Sequence, residues 1–191
     1  AVVDELNFLG MLPAIYFVFS RNGCDEAVEQ CLNAGLRLTT DEEALHIRKI
    51  VDEMIEGQLT REDLKTLHFS QFRYAFAAHH AGMIALFKQI VERLFEEGLI
   101  KCVFATETLA LGINMPARSV VVEKLEKYNG TGIVPLTPGE YTQLTGRAGR
   151  RGIDTIGNAI VVDHRDFKPE TAVALSSKRV YPLHSSFKAT F

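Results

Sequence analysis

The residues Ala14 to Phe19, A-I-Y-F-V-F, form an unbroken apolar and aromatic run. A strand with one face in water alternates apolar with polar, whereas a strand covered on both faces is apolar throughout. Ser20 and Arg21 follow, then Asn22-Gly23 as a turn, then a helix from about Cys24 to Ala34. A strand that feeds a helix in this way is the unit of an open α/β sheet, in which ligands sit off the carboxyl ends of the strands. Ser20 and Arg21 are therefore placed where binding residues collect, although a turn serine and a surface arginine would read the same way.

The pattern repeats down the chain. Thr40 to Glu43 is a capping box, and apolar residues then recur at 44, 47, 50, 51, 54 and 55, which predicts an amphipathic helix to about Glu56. Asp41-Glu42-Glu43-Ala44 is not a magnesium-binding acidic box, because no hydrophobic strand precedes it to present the carboxylates. A second cap, Thr60 to Asp63, predicts a short helix ending near His68. Phe72 to Ala78 is strand-like and delivers His79-His80-Ala81-Gly82 to a helix with an apolar stripe at 83, 84, 86, 87, 90, 91, 94 and 95, stopped by Gly98. The free amides at that helix start suit a phosphate. Adjacent histidines point in different directions and no third ligand follows, so His79 and His80 are capping and packing groups or nucleic-acid contacts rather than metal ligands.

Leu99 to Ala105 is a third buried strand, followed by T-E-T-L-A-L-G-I-N-M-P, and Ser119 to Glu123 is the next. Small and hydroxyl residues after Ala105 let a backbone approach a phosphate. Asn129-Gly130 marks a hairpin, either a plain connection or a projecting element. Beyond Asp154, Gly157 to Val162 reads as a last core strand and Lys168 to Ser177 as a covering helix.

Glu140 to Asp154 reads E-Y-T-Q-L-T-G-R-A-G-R-R-G-I-D. Laid on a helix that Pro138 opens, Gln143, Arg147 and Arg150 fall at i, i+4 and i+7 and share one face. Arginine carries a permanent charge and a planar fork of donors that matches phosphate oxygens, so this face is built to meet an anion unless it is simply a solvated basic helix end. Gly146 and Gly149 then need a geometric reason, close packing or an abrupt turn, since each weakens a helix interior by roughly 1 kcal/mol.

Composition limits the rest. With 191 residues, 47% of them hydrophobic, the chain can bury one domain. Its 21 Lys and Arg against 24 Asp and Glu leave a formal charge of −3, so any nucleic-acid contact must be local. No apolar segment reaches the roughly 18 residues of a membrane span, and a soluble, cytoplasmic protein is expected, with a nuclear one possible in a eukaryote. Cys24, Cys31 and Cys102 form no C-x-x-C pair and are expected as reduced core thiols. Ala1 and Phe191 look like cuts in a longer chain.

Q-x-x-G-R-A-G-R-R-G resembles the last motif of superfamily-two helicases, and specifically of the DExH RNA helicases of the superkiller and exosome-cofactor branch. F-V-F-S-R, H-H-A-G-M and F-A-T-E-T-L-A-L-G-I-N-M-P-A-R resemble further motifs of the same family in the same order. The resemblance implies the second RecA-like domain of such an enzyme over residues 1–180, a three-layer α/β fold of the P-loop NTPase type with a mainly parallel sheet, a helical insertion and a projecting β-hairpin, and the truncated start of a following module over 181–191. It implies Arg147 and Arg150 as arginine fingers beside Gln143, with Gly112, Asn114 and Gly146 near the nucleotide. Ser20, Arg21, His79, His80, Gly82 and Thr106 would hold a nucleic-acid backbone, and Tyr128 on the hairpin would stack on bases. ATP with Mg²⁺ is implied too, held mainly by a preceding RecA-like domain, because this chain contains no G-x-x-x-x-G-K-[ST] loop. The activity implied is ATP-driven RNA unwinding in processing or decay, with single-stranded or duplex RNA, or alternatively DNA, and an RNA-decay complex as implied partners, and with this chain inactive alone. A DNA-repair helicase and a non-catalytic nucleic-acid-binding or docking module are the competing readings.

Overall fold

The computed structural model describes residues 2–57, 72–106, 115–128, 130–150, 154, 157–163 and 180–184, with only the backbone at 128, 162–163 and 180–184. Its centre is the strand β1 (Ala14–Phe17), which pairs in parallel with β3 (Cys102–Ala105) on one side and β4 (Ser119–Val122) on the other. Outside these run β2 (Phe76–His79), β7 (Asn158–Asp163) and β8 (Val180–His184), giving a parallel sheet of order β2-β3-β1-β4-β7-β8. Between β4 and β7 an antiparallel pair, β5 (Glu126–Tyr128) and β6 (Ile133–Pro135), forms the hairpin expected around Gly130.

Alternation along β1 explains the layering. Ile15 and Phe17 enter one core with Val103, Val120 and Val122, whereas Ala14, Tyr16 and Val18 enter a second with Phe104 and Val121. Every residue from Ala14 to Val18 is buried, as a strand covered on both faces must be. The helices α3 (Asp41–Ile55), α4 (Ala85–Glu96) and α5 (Pro138–Thr145) close the first core, through Ile47, Ile90 and Tyr141 among others. The second is closed by α1 (Val2–Phe8) and α2 (Arg21–Asn33), through Leu6, Cys24, Val28 and Cys31. This is the three-layer RecA-like α/β fold. Cys24, Cys31 and Cys102 are buried free thiols, and burial pushes the Cys31 thiol up to about 11. Among the described residues no helix is long and apolar enough to cross a membrane.

Several boundaries differ from the sequence reading. Helix α2 begins at Arg21, not Cys24, because Ser20 in an extended conformation caps it and accepts the Gly23 amide at 3.1 Å. Asn22 and Gly23 are thus the first helical turn rather than a separate loop. Strand β2 begins at Phe76, because Ala75 takes a left-handed φ of 77° and the Ala75 amide closes a turn onto the Phe72 carbonyl. Helix α4 begins at Ala85, three residues past Gly82, with no side-chain cap at Ile84. The capping box Thr40–Glu43 forms as its sequence requires, and Lys101 from beside β3 also reaches Glu43 at 3.1 Å. Strand β8 pairs with β7 through His184, so the main sheet continues past residue 180. The helices expected at 60–68 and 168–177 lie outside the described residues.

Thr137 and Glu140 form a second capping box, which the sequence reading passed over in favour of Pro138. The Thr137 hydroxyl accepts the Glu140 amide and the Glu140 carboxylate accepts the Thr137 amide, each at 3.1 Å. Removing such a cap costs about 1 kcal/mol. Thr137→Ala is expected to lower the unfolding free energy by that amount in urea titration.

Candidate functional site

The residues singled out in the sequence collect at two opposite ends of the parallel sheet. At the carboxyl end, His79 ends β2, Thr106 follows β3 and Ser20 lies three residues past β1, on three adjacent strands, and the Thr106 amide donates to the His79 carbonyl at 3.4 Å. The turn after β2 packs against the start of α2. A Cβ on Gly82 would lie 3.1 Å from His80 Nδ1 and 3.5 Å from Arg21 Cδ, so the Arg21 stem crosses the bare face of this glycine. His80 Nδ1 accepts the Gly82 amide at 3.1 Å, which leaves Nε2 to carry the proton and donate to Asp25 Oδ1 at 3.0 Å. Ser20, Arg21, His80 and Gly82 are therefore one constellation.

The histidines themselves are buried, His79 at 3% exposure and His80 at 6%. His79 Nε2 lies 3.4 Å from Glu92 on α4. Both imidazoles thus brace the turn from inside, while Arg21 and the backbone around Gly82 reach the surface. Asp25, the partner of His80, was not found in the sequence, and no local spacing connects two residues 55 positions apart. Gly112 and Asn114 lie outside the described residues, and Tyr128 is described only as backbone in β5. A cavity of about 430 Å³ opens beside Ser20 over Tyr16 and Phe104, and another of about 580 Å³ runs along α3 past Leu45 and Arg48 to the Phe72–Tyr74 segment ahead of β2.

At the amino end of the sheet stands the arginine segment, and here the helical reading fails. Helix α5 stops at Thr145 with Gly146 as its cap, so Gln143 is exposed on the helix while Arg147 and Arg150 lie beyond it and share no helical face with it. Strand-like pairing takes over. Ala148 bridges Ala117 in parallel, the Ala117 amide donates to the Arg147 carbonyl at 2.9 Å, and the Gly149 amide donates to the Ala117 carbonyl at 2.7 Å. Gly149 has a φ of 88°, which a side chain would resist, and a Cβ on Gly146 would meet the Thr142 carbonyl at 2.9 Å. The two glycines serve the abrupt turn, one of the two reasons their presence allowed.

Arg147 and Arg150 are each half-buried. Burial pushes the Arg147 guanidinium down from its usual value. Arg150 is tied to Asp154, whose Oδ2 accepts Nε at 2.8 Å and whose Oδ1 accepts Nη2 at 3.0 Å. That pair holds the Asp154 carboxyl below the usual carboxylate range and raises Arg150. Arg118, beside β4, approaches Asp154 Oδ1 at 3.8 Å. Neither Asp154 nor Arg118 was given a role from sequence, although the i, i+4 spacing of Arg150 and Asp154 was visible. Among the described residues no group of three or more His, Cys, Asp or Glu is arranged to hold a metal ion.

The sequence matches the model of the helicase conserved C-terminal domain over residues 26–152. The chain belongs to that family. It is 54% identical over 194 aligned positions to the probable helicase HelY of Mycobacterium tuberculosis, covering all of this chain and 21% of that protein. It is 40% identical over 181 positions to the DExH-box ATP-dependent RNA helicase DExH15, chloroplastic, of Arabidopsis thaliana (95% of this chain, 15% of that one). With the antiviral helicase SKI2 of Saccharomyces cerevisiae it shares 38% identity over 167 positions (84% and 13%). The chain thus spans about a fifth or less of the length of these curated relatives.

Two measurements probe this geometry. A Cβ on Gly157 would lie 2.5 Å from the Ala148 carbonyl carbon and oxygen, so Gly157→Ala must displace the arginine turn. An overpacking loss of about 1–3 kcal/mol is expected from chemical denaturation. Burial, partly opposed by Glu92, lowers the His79 pKa from its ordinary 6.5. The unfolded chain then binds the proton more readily, so the stability conferred by neutral His79 is complete above about pH 6.5 and is lost as the pH falls below it. His79→Gln is expected to flatten the difference in unfolding free energy between pH 7.5 and 5.5, and an unchanged difference would contradict the assignment.

Proposed function

We propose that this chain is the C-terminal motor domain of an ATP-dependent RNA helicase of the superkiller-like DExH branch, acting in RNA processing or decay. The observation that carries the reading is the separation of two polar constellations at opposite ends of one rigid sheet. One end offers Ser20, Arg21, Thr106 and the Gly82 turn to a strand backbone, and the other offers Arg147 and Arg150 to an anion. The similarity to DExH15, an ATP-dependent RNA helicase by name, supports RNA as the polynucleotide. Activity on RNA within a decay complex, and a cytoplasmic location, belong to the same proposal.

ATP with Mg²⁺, held mainly by a preceding RecA-like domain, supplies the phosphoanhydride whose cleavage drives the cycle. The residues present suit that partner, because two guanidiniums emerge from a turn whose backbone is pinned by Ala117 and Gly157. On closure of the two domains, Arg147 and Arg150 neutralise charge on the terminal phosphate without a reorganisation step. Gln143, exposed on α5, and Gly146 at its end belong to the same proposed nucleotide-facing set, as do Gly112 and Asn114, which lie outside the described residues. At the other end Arg21, with Thr106 and the Gly82 turn beside it, contacts phosphate as a charged fork, so opening and closing of the domains moves the strand. Tyr128 on the hairpin contributes a stacking surface. Without the phosphate loop, the chain alone hydrolyses no ATP.

In the full-length protein, Arg150→Ala is expected to lower RNA-stimulated kcat for ATP by about 10³-fold or more while RNA affinity stays near wild type. Undiminished ATPase would leave a non-catalytic binding module as the better account. Unwinding assays with RNA and DNA duplexes complete the test, since activity on DNA alone would replace RNA by a DNA-repair role.

A further inference from the structure

We propose that Asp154 is a positioning residue that presents Arg150 to the nucleotide in one fixed orientation. The inference rests on the reading of Arg150 as an arginine finger and adds the group that aims it.

Asp154 sits four residues beyond Arg150, and its side chain is only 4% exposed. A carboxylate this deep needs its lone pairs satisfied, and one residue satisfies most of them. Its Oδ2 accepts both the main-chain amide of Arg150 at 2.9 Å and the Nε of the same residue at 2.8 Å. Its Oδ1 accepts Nη2 at 3.0 Å, and the Asp154 amide returns a bond to the Arg150 carbonyl at 2.9 Å. One oxygen that holds both the backbone and the side chain of a residue fixes the guanidinium plane relative to the chain. A surface ion pair between flexible side chains has no such closure and orients little.

The edge of the guanidinium that Asp154 takes is as informative as the bond count. A guanidinium has five N–H donors in one plane, and the side-on contact through Nε and Nη2 uses two of them. The other three belong to Nη1 and the outer side of Nη2, the end-on edge whose spacing matches two oxygens of a phosphate. Asp154 therefore holds Arg150 by the side and leaves its end available for the anion. Arg118, 3.8 Å from Oδ1, offsets the remaining carboxylate charge. Lysine at 150 could not be held this way, since a point charge has no second edge.

The test uses the full-length protein with saturating RNA. Asp154→Asn keeps the shape but turns an acceptor into a donor that opposes the guanidinium. It is expected to lower kcat for ATP by about 10- to 100-fold, the size of effect that a misplacement of about 1 Å produces, with the KM for ATP and the Kd for RNA changed less than threefold. In an Arg150→Ala background the same substitution should lower kcat by less than threefold further, because the group being aimed is gone. An equal loss in both backgrounds, or a wild-type kcat in folded Asp154→Asn, overturns the inference. If the Asn variant melts, Asp154→Glu keeps the buried charge but reaches too far to engage both the amide and Nε. A tenfold lower kcat supports the proposal, and a wild-type kcat overturns it. Undiminished ATPase in Arg150→Ala instead removes the underlying reading, so the two failures are distinguishable.

Discussion

A parallel sheet buried on both faces can act only through its ends. Ala14 to Val18 spend every side chain on one core or the other, and β3 and β4 beside them do the same. No residue in these strands is available for chemistry. Whatever the domain binds must meet the loops where the strands start or stop, and there the backbone leaves the ladder and its amides and carbonyls are free to turn outward. Both candidate constellations obey this rule. Ser20, the 79–82 turn and Thr106 occupy three neighbouring carboxyl ends, and the arginine turn occupies the amino ends of β4 and β7.

The arginine turn shows how a sheet can fix a loop without lengthening a strand. Helix α5 gives out at Gly146, and within two residues the chain has joined Ala117 by a pair of backbone hydrogen bonds. Gly157, just ahead of β7, lets the two segments touch backbone to backbone. Three glycines and an alanine, none of which could contact a ligand through a functional group, thus set where two guanidiniums emerge. A helix would have given the same arginines a periodic spacing but left them free to swing on long side chains. The pairing with Ala117 also ties the turn to the residue next to Arg118, so cations from two separate stretches of sequence meet at Asp154.

The sequence was legible wherever a physical rule is local. The apolar run at 14–19, the Thr40–Glu43 cap, the Gly130 hairpin and the stripe on α4 depend on neighbours within a few positions, and each formed, although β1 ends at Phe17 and α4 starts only at Ala85, past Met83 and Ile84. Errors came where a distant contact decided. A spacing of three and four residues around Gln143, Arg147 and Arg150 is what a helix gives, and nothing nearby reveals that Ala117 competes for the Arg147 carbonyl and the Gly149 amide. The glycines were the available hint, since two in one helix turn lose to any extended alternative that offers the same hydrogen bonds. The link from His80 to Asp25 was hidden for the same reason. Asp154 was the reverse case: its spacing from Arg150 was open to view, but outside a helix an i, i+4 pair carries no expectation of contact.

Helix α5 joins these two levels of order. Its first turn is held by the Thr137–Glu140 capping box, and Glu140 also pairs with Lys127 on β5, so the hairpin and the helix share one carboxylate. Lys127 and the Thr137 amide together hold the Glu140 carboxyl below its usual range, so it stays charged at neutral pH. Tyr141 and Leu144, both buried, press the middle of the helix into the core under β1 and β4. Its last turn delivers the chain to the Ala117 pairing. Eight helical residues span about 12 Å, so the base of the hairpin and the arginine turn are the two ends of one short strut.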